Sequence, residues 1–110
     1  MENRFNFRAW DIENKKHILD CDRVYHLLTD GDNSFIYEQC TGLKDKNGML
    51  IYEGDIVRVD SKVYYIDPLT LVVGFHNGAF MVGDRFIDNN SKFMEIIGNI
   101  HENPELLEGD

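Results

Sequence analysis

The chain of 110 residues carries twenty acidic and eleven basic side chains, a formal charge of −9 at pH 7, with 43% apolar and 12% aromatic residues. This length fits one domain whose core needs no disulfide or metal staple, and the apolar content excludes a disordered chain. The acidic excess disfavours polyanionic partners, nucleic acid and anionic lipid alike.

The opening residues, MENRFNFRAWDIENKK, scatter charges and hold no apolar run of secretory length, and no later segment is apolar for long enough to span a bilayer. A cytoplasmic site of work is expected. In RFNFRAW, Phe5, Phe7 and Ala9 alternate with Arg4, Asn6, Arg8 and Trp10, the period of a half-buried strand. Asp11 breaks the pattern, and 17–19 is placed as the second arm of a hairpin across ENKK. The run VYHLL (24–28) is ambiguous between strand and a turn of helix, and TDGDNS (29–34) has the composition of a loop.

The second half is more plainly β. Runs of β-branched and aromatic residues at 56–59, 63–66, 71–75, 79–82 and 93–100 are separated by Gly-Asp, Asp-Pro and His-Asn-Gly turns. With no long amphipathic helix to cover a parallel sheet, antiparallel hairpins rolled into a small barrel are expected. The apolar run 69–75 is a candidate sheet edge or interface. Asn103-Pro104-Glu105 reads as a helix start, with Leu106 and Leu107 to bury. The fold class is therefore mainly β with a short C-terminal helical turn, bordering on α+β. One domain spans 1–110, with a hairpin region at 1–40 and a barrel-like core at 41–110.

Between these regions lies TGLKDKNGMLIYEGDIVRV (41–59), which is either a site or a scaffold. Asn47-Gly48 is the favoured pair for a two-residue type I′ turn, which would set Lys46 opposite Met49 and Leu43 opposite Tyr52. Gly54 is expected at positive φ before the 56–59 strand, with Glu53 and Asp55 accepting backbone N–H groups. As a calcium loop the stretch fails: with Gly48 at the sixth position, the first becomes Leu43 and the twelfth Gly54. Asp30 and Asp32 fare no better, since their sixth position is Phe35.

No other motif carries chemistry. Cys21 and Cys40 have no C-x-x-C partner or histidine at metal spacing, and are expected as two reduced thiols. His17, His26, His76 and His101 are dispersed, no serine or cysteine sits in a nucleophile motif, and no phosphate-cradling loop follows TGLKDKNG. No catalytic residue, cofactor site or metal site is assigned.

Three blocks together, FRAWD (7–11), TGLKDKNGMLIYEGDIVRV (41–59) and IIGNIHENPELL (96–107), resemble the YopX family of small phage and prophage proteins. The resemblance implies a mainly β fold with an SH3-like small barrel, an ability to self-associate, no enzymatic activity, and work in the cytoplasm of a bacterial host. Two readings of function follow. The first is an oligomeric module that docks on a host or phage protein, with the loop Lys44, Asp45, Lys46, Asn47 and Gly48, and with Trp10, exposed; Glu53, Gly54 and Asp55 complete the candidate residues. The second is a nucleic-acid-binding small barrel, suggested by GDIVRV. Charge favours the first, because the only close basic pairs are Lys15-Lys16 and Lys44/Lys46, and 84–110 alone hold seven acids against two bases.

Overall fold

A computed structural model describes residues 7–31, 33–59, 69–76, 78–83, 85–87 and 89–107. The expected strand at 63–66, the turn at 67–68 and the thiol of Cys21 lie outside what it describes. Two antiparallel sheets make up most of the structure, as the sequence pattern predicts. In the first, β1 (Phe7–Asp11) lies between β2 (Lys16–Ile18) and β3 (Phe35–Lys44), and β4 (Leu50–Tyr52) pairs with the far side of β3. In the second, β5 (Asp55–Val59), β6 (Leu69–His76), β7 (Ala79–Val82), β8 (Arg85–Phe86) and β9 (Met94–Asn99) take the order β8-β7-β6-β5-β9 and curl as a half-barrel. β3 runs through residue 40, so the hairpin region and the barrel-like region share a strand.

The segment that resisted a reading, VYHLL, belongs to a nine-residue helix, α1 (Cys21–Thr29). Asp20 caps it: the side chain accepts hydrogen bonds from the N–H groups of Asp22 at 3.0 Å and Arg23 at 3.4 Å, a cap of the kind worth about 1 kcal/mol. Val24 and Leu27, three residues apart on one face, pack with Ala9 and Ile18 beneath the helix. So short a helix has too few turns for its 3.6-residue period to stand out from a short apolar strand.

The helix changes the status of β1. Alternation implied one wet face, yet Arg8, Ala9, Trp10 and Asp11 are all buried. Ala9 faces α1, and the Arg8 and Trp10 face is covered by the second sheet and the turn after it. Trp10 is therefore not the exposed anchor expected from sequence. β6 also departs from expectation. It is hydrogen-bonded to β5 on one side and β7 on the other, so the 69–75 run is an interior strand rather than an edge.

The main core lies between the sheets and collects Ile51, Val57, Val59, Val73, Val82, Ile87 and Met94. Ile51, Val57 and Met94 have no exposure at all, and each such side chain contributes roughly 1.5–3 kcal/mol by leaving water. At the C-terminal end, residues Pro104–Leu107 form a 3-10 turn in which no residue is buried, so Leu106 and Leu107 do not anchor it. Asn103 instead turns its side chain back to accept the N–H of Asn99 at 3.2 Å.

Candidate functional site

The stretch 41–59 is a scaffold in its hydrogen bonds. The loop after β3 closes with Gly48 N–H on the Asp45 carbonyl at 3.0 Å and Asp45 N–H on the Met49 carbonyl at 2.8 Å. Gly48 has φ +82° and Asn47 has no positive φ, so the loop has three residues, Lys46 to Gly48, rather than the two of a type I′ turn. Lys44 accordingly pairs with Leu50, and Cys40 with Tyr52. Between these pairs the register shifts, and the Thr41 hydroxyl bridges the irregularity by donating to the Ile51 carbonyl at 2.8 Å and accepting from Leu43 N–H at 3.0 Å.

Asp45 is 5% exposed despite its place in a charged loop. One carboxylate oxygen accepts the N–H groups of Asn47 and Met49, both at 2.9 Å, and the other accepts Ile96 N–H of β9 at 3.0 Å. Three orphan donors thus depend on one side chain. Asp45→Ala is expected to destabilise the fold by about 1–3 kcal/mol, seen as a lower midpoint in urea. An unchanged midpoint would show that water replaces the carboxylate without loss. Around Asp45, Lys44, Lys46, Asn47 and Gly48 are exposed.

The corner at Glu53 and Gly54 passes the chain from one sheet to the other. Glu53 N–H donates to the Gln39 carbonyl, Gly54 N–H to the Val73 carbonyl, and the Gly54 carbonyl accepts Ile100 N–H, all at 2.8–3.0 Å. The Glu53 and Asp55 side chains accept from Gln39 N–H at 3.3 Å and Tyr52 N–H at 2.8 Å.

Against this corner sits a cluster of ionisable side chains drawn from both sheets. Arg8 of β1 lies between two acids, donating from Nε to Glu38 Oε1 at 2.7 Å and from its terminal nitrogen to Asp55 Oδ1 at 2.8 Å. Its guanidinium also covers the Tyr52 ring, 4.6 Å from the centroid. Glu38 of β3, 3% exposed, receives two histidines as well: His17 Nε2 lies 3.1 Å from Oε1, and His101 Nε2 lies 2.7 Å from Oε2. An ionised carboxylate only accepts, so both Nε2 atoms carry the proton. Trp10 holds the two rings, stacking on His101 at 4.7 Å and 8° and meeting His17 edge-on at 4.9 Å and 65°.

Electrostatics separates the two acids. Burial opposes the charge on Glu38, but the hydrogen bond from His17, the charge and hydrogen bond of Arg8 and the hydrogen bond from His101 outweigh it and hold its carboxyl below the usual range. For Asp55 burial wins, with the charge of Glu38 adding to it, and the carboxyl is raised in spite of Arg8 and Tyr52 N–H. One guanidinium thus faces two carboxylates.

Beside the cluster an open cleft of 320 Å³ runs between the sheets, with a mainly apolar lining that includes Ile36, Val72, Phe75 and Ile100. Glu38 and Gly54 form part of its wall. Ile36, Phe75 and Ile100, which line this one cleft together, are 42%, 46% and 38% exposed, and it is such a grouping of large apolar side chains that is informative.

Of the residues singled out in sequence, the structure brings Trp10, Gly54 and Asp55 together here and leaves the Lys44 to Gly48 loop elsewhere, on β9. Arg8, His17, Glu38 and His101 were not singled out. Sequence separations of 30, 47 and 63 residues hide their contacts. A signal was nonetheless present, since each of the three blocks that carry the family resemblance sends a side chain to this cluster: Arg8 and Trp10 from the first, Asp55 from the second, His101 from the third.

Comparison with known proteins agrees on the relationship. The family model described as YopX protein matches residues 20–108, which include Glu38, Asp55 and His101. The crystal structure of protein EF1440 from Enterococcus faecalis is similar over 93% of this chain and 96% of that one, with 27% sequence identity and a TM-score of 0.69. No curated protein matches the chain significantly. Among the described residues no helix is long and apolar enough to cross a membrane. With residues 20–108, four-fifths of its length, under the family model, the chain belongs to the YopX family.

Proposed function

We propose that this chain is a non-enzymatic protein-interaction module, carried by a phage or prophage and acting in the cytoplasm of a bacterial host, that first associates with a second copy of itself and in that form engages a host or phage protein. The observation that carries the reading is the cleft with half-exposed Ile36, Phe75 and Ile100 along it. One surface there offers both a hollow and a projecting aromatic ring, the requirement for a two-fold contact in which the same patch serves both partners. Phe75 is braced for such a role, since its ring meets Phe80 edge-on at 5.0 Å. Such a contact needs about 600–1,000 Å² from each copy, so the cleft would be its centre and its surroundings the rim.

The ionisable cluster supports a structural task more than an acid–base one, because Arg8 and the two histidines already occupy both oxygens of Glu38. The charge of −9 argues against the nucleic-acid barrel, since it removes the counterion release that drives most phosphate binding. That same charge makes two copies repel, so association should strengthen as salt rises and screens it.

Light scattering behind a sizing column, run from low to high micromolar protein, is expected to show a dimer that Phe75→Asp converts to monomer with unchanged circular dichroism. A wild-type monomer at about 100 µM, well above the dissociation constants of specific complexes of this size, would remove self-association from the reading. Salt-sensitive binding to labelled single-stranded oligonucleotides would instead promote the nucleic-acid barrel.

A further inference from the structure

His17, Glu38 and His101 make up the one group among the described residues whose ligand atoms lie close enough to hold a metal ion, all within 4.8 Å of one another. We propose that they bind a divalent transition metal of the zinc class, with two imidazole Nε2 atoms and one carboxylate oxygen as ligands. The site goes beyond self-association and does not depend on it, because all three ligands come from one copy.

Geometry comes first. Ligand atoms about 2.0–2.1 Å from a tetrahedral zinc stand about 3.3 Å from one another. The two nitrogens here stand 3.1 and 2.7 Å from Glu38, one on each of its oxygens, and with all ligand atoms within 4.8 Å of one another the site closes by drawing them together by at most about 1.5 Å. The three ligands come from separate parts of the backbone, β2, β3 and the turn after β9, each tied by its own hydrogen bonds. Neither ring is free to turn away, because Trp10 packs against both. Arg8 Nε donates to Oε1, the oxygen that His17 also meets, and fixes the carboxylate as an outer partner orients a ligating acid.

Charge is the second and independent observation. Arg8 faces two buried carboxylates, Glu38 and Asp55, and among the described residues the histidines are the other ionisable side chains paired with Glu38. A cation placed on Glu38 opposes the remaining negative charge. The histidine side chains are 13% and 11% exposed, which leaves an approach for the ion and a water for the fourth position.

Ligand chemistry selects the metal. Two imidazoles and one carboxylate suit zinc, cobalt or nickel, whereas calcium and magnesium require six or more oxygens that this site does not offer. Binding requires each ring to move its proton from Nε2 to Nδ1, exchanging the two hydrogen bonds to Glu38 for metal bonds. The ion would join β2, β3 and the post-β9 turn across the gap between the sheets.

The test uses the full chain, stripped with chelator and titrated with zinc chloride by calorimetry and with cobalt chloride by visible absorption. One equivalent of zinc is expected, with a rise in melting temperature, and cobalt is expected to give the intense visible bands of a four-coordinate ion. His17→Ala and His101→Ala should each abolish the heat and the bands, while His76→Ala, outside the cluster, leaves both intact. X-ray absorption of the zinc-loaded wild type keeps the assignment testable if a cluster variant does not fold, and it should report two imidazoles. Absence of binding by the folded wild type at about 100 µM zinc, a concentration that would stabilise any useful site, would overturn the proposal. So would binding that survives loss of both histidines, or an absorption spectrum with oxygen ligands alone.

Discussion

Arg8→Met is expected to destabilise the fold by about 3–5 kcal/mol, enough to remove much of the stability of a domain this size. The loss comes from what remains, not from what is taken away. With the guanidinium gone, Glu38 and Asp55 stay buried as neighbouring carboxylates, their side chains each 4% exposed, with no cation between them. Among the described residues, the two histidines still donate to Glu38 and Tyr52 N–H to Asp55. Methionine keeps the unbranched, apolar length of the arginine stem, so lost side-chain volume adds little beyond the loss of the guanidinium from the Tyr52 ring.

Two further measurements separate charge from packing. The triple variant Arg8→Met, Glu38→Gln, Asp55→Asn should regain most of the lost stability, since replacing a whole buried ionic group is often close to neutral. The deficit of the single variant should also shrink in acid. Asp55 already has a folded-state pKa raised above the ordinary 3.8, and the loss of Arg8 raises it further. The folded chain then takes up a proton before the unfolded chain does, so stability rises as pH falls through that raised value and levels off below 3.8. A deficit that neither the triple variant nor acid relieves would place the role of Arg8 in its contact with the Tyr52 ring.

The same cluster marks the limit of what could be read from the chain alone. The strands at 56–59 and 79–82 were legible because β-branched residues between turn signals have few other ways to bury themselves. The positive φ of Gly54 was legible for a local reason, its place before a strand, and the structure bears it out at +91°. Failures arose where burial came from a distant segment. Alternation in β1 marks Arg8 and Trp10 as solvent-facing unless a second layer is known to cover them, and that layer is β5 and the turn after β9. The run 69–75 was a candidate edge or interface because a small β domain leaves free sheet edges, yet β7 pairs with it from Val73 to His76. Arg8, Glu38, His17 and His101 each have the composition of a surface residue. Their meeting is set by sheet order, which no local pattern encodes.

Gly54→Ala is expected to cost about 2–4 kcal/mol, more than the ~1 kcal/mol that its backbone conformation alone would explain. At φ +91° a side chain is strained wherever it points, which accounts for the smaller figure. The rest follows from direction. A Cβ at this position runs into Glu38, overlapping Oε2 and standing 3.0 Å from Cδ. Elsewhere a glutamate would swing aside at little expense. Here Arg8, His17 and His101 hold it, so accommodating one methyl group means breaking at least the 2.7 Å bond from His101 or moving the corner that joins the sheets. A double-mutant cycle reads this coupling directly. In a Glu38→Ala background the obstruction is gone, and Gly54→Ala should fall to the ~1 kcal/mol of backbone strain. Equal costs in both backgrounds would mean that the corner yields freely, and that glycine stands beside the cluster for its φ alone.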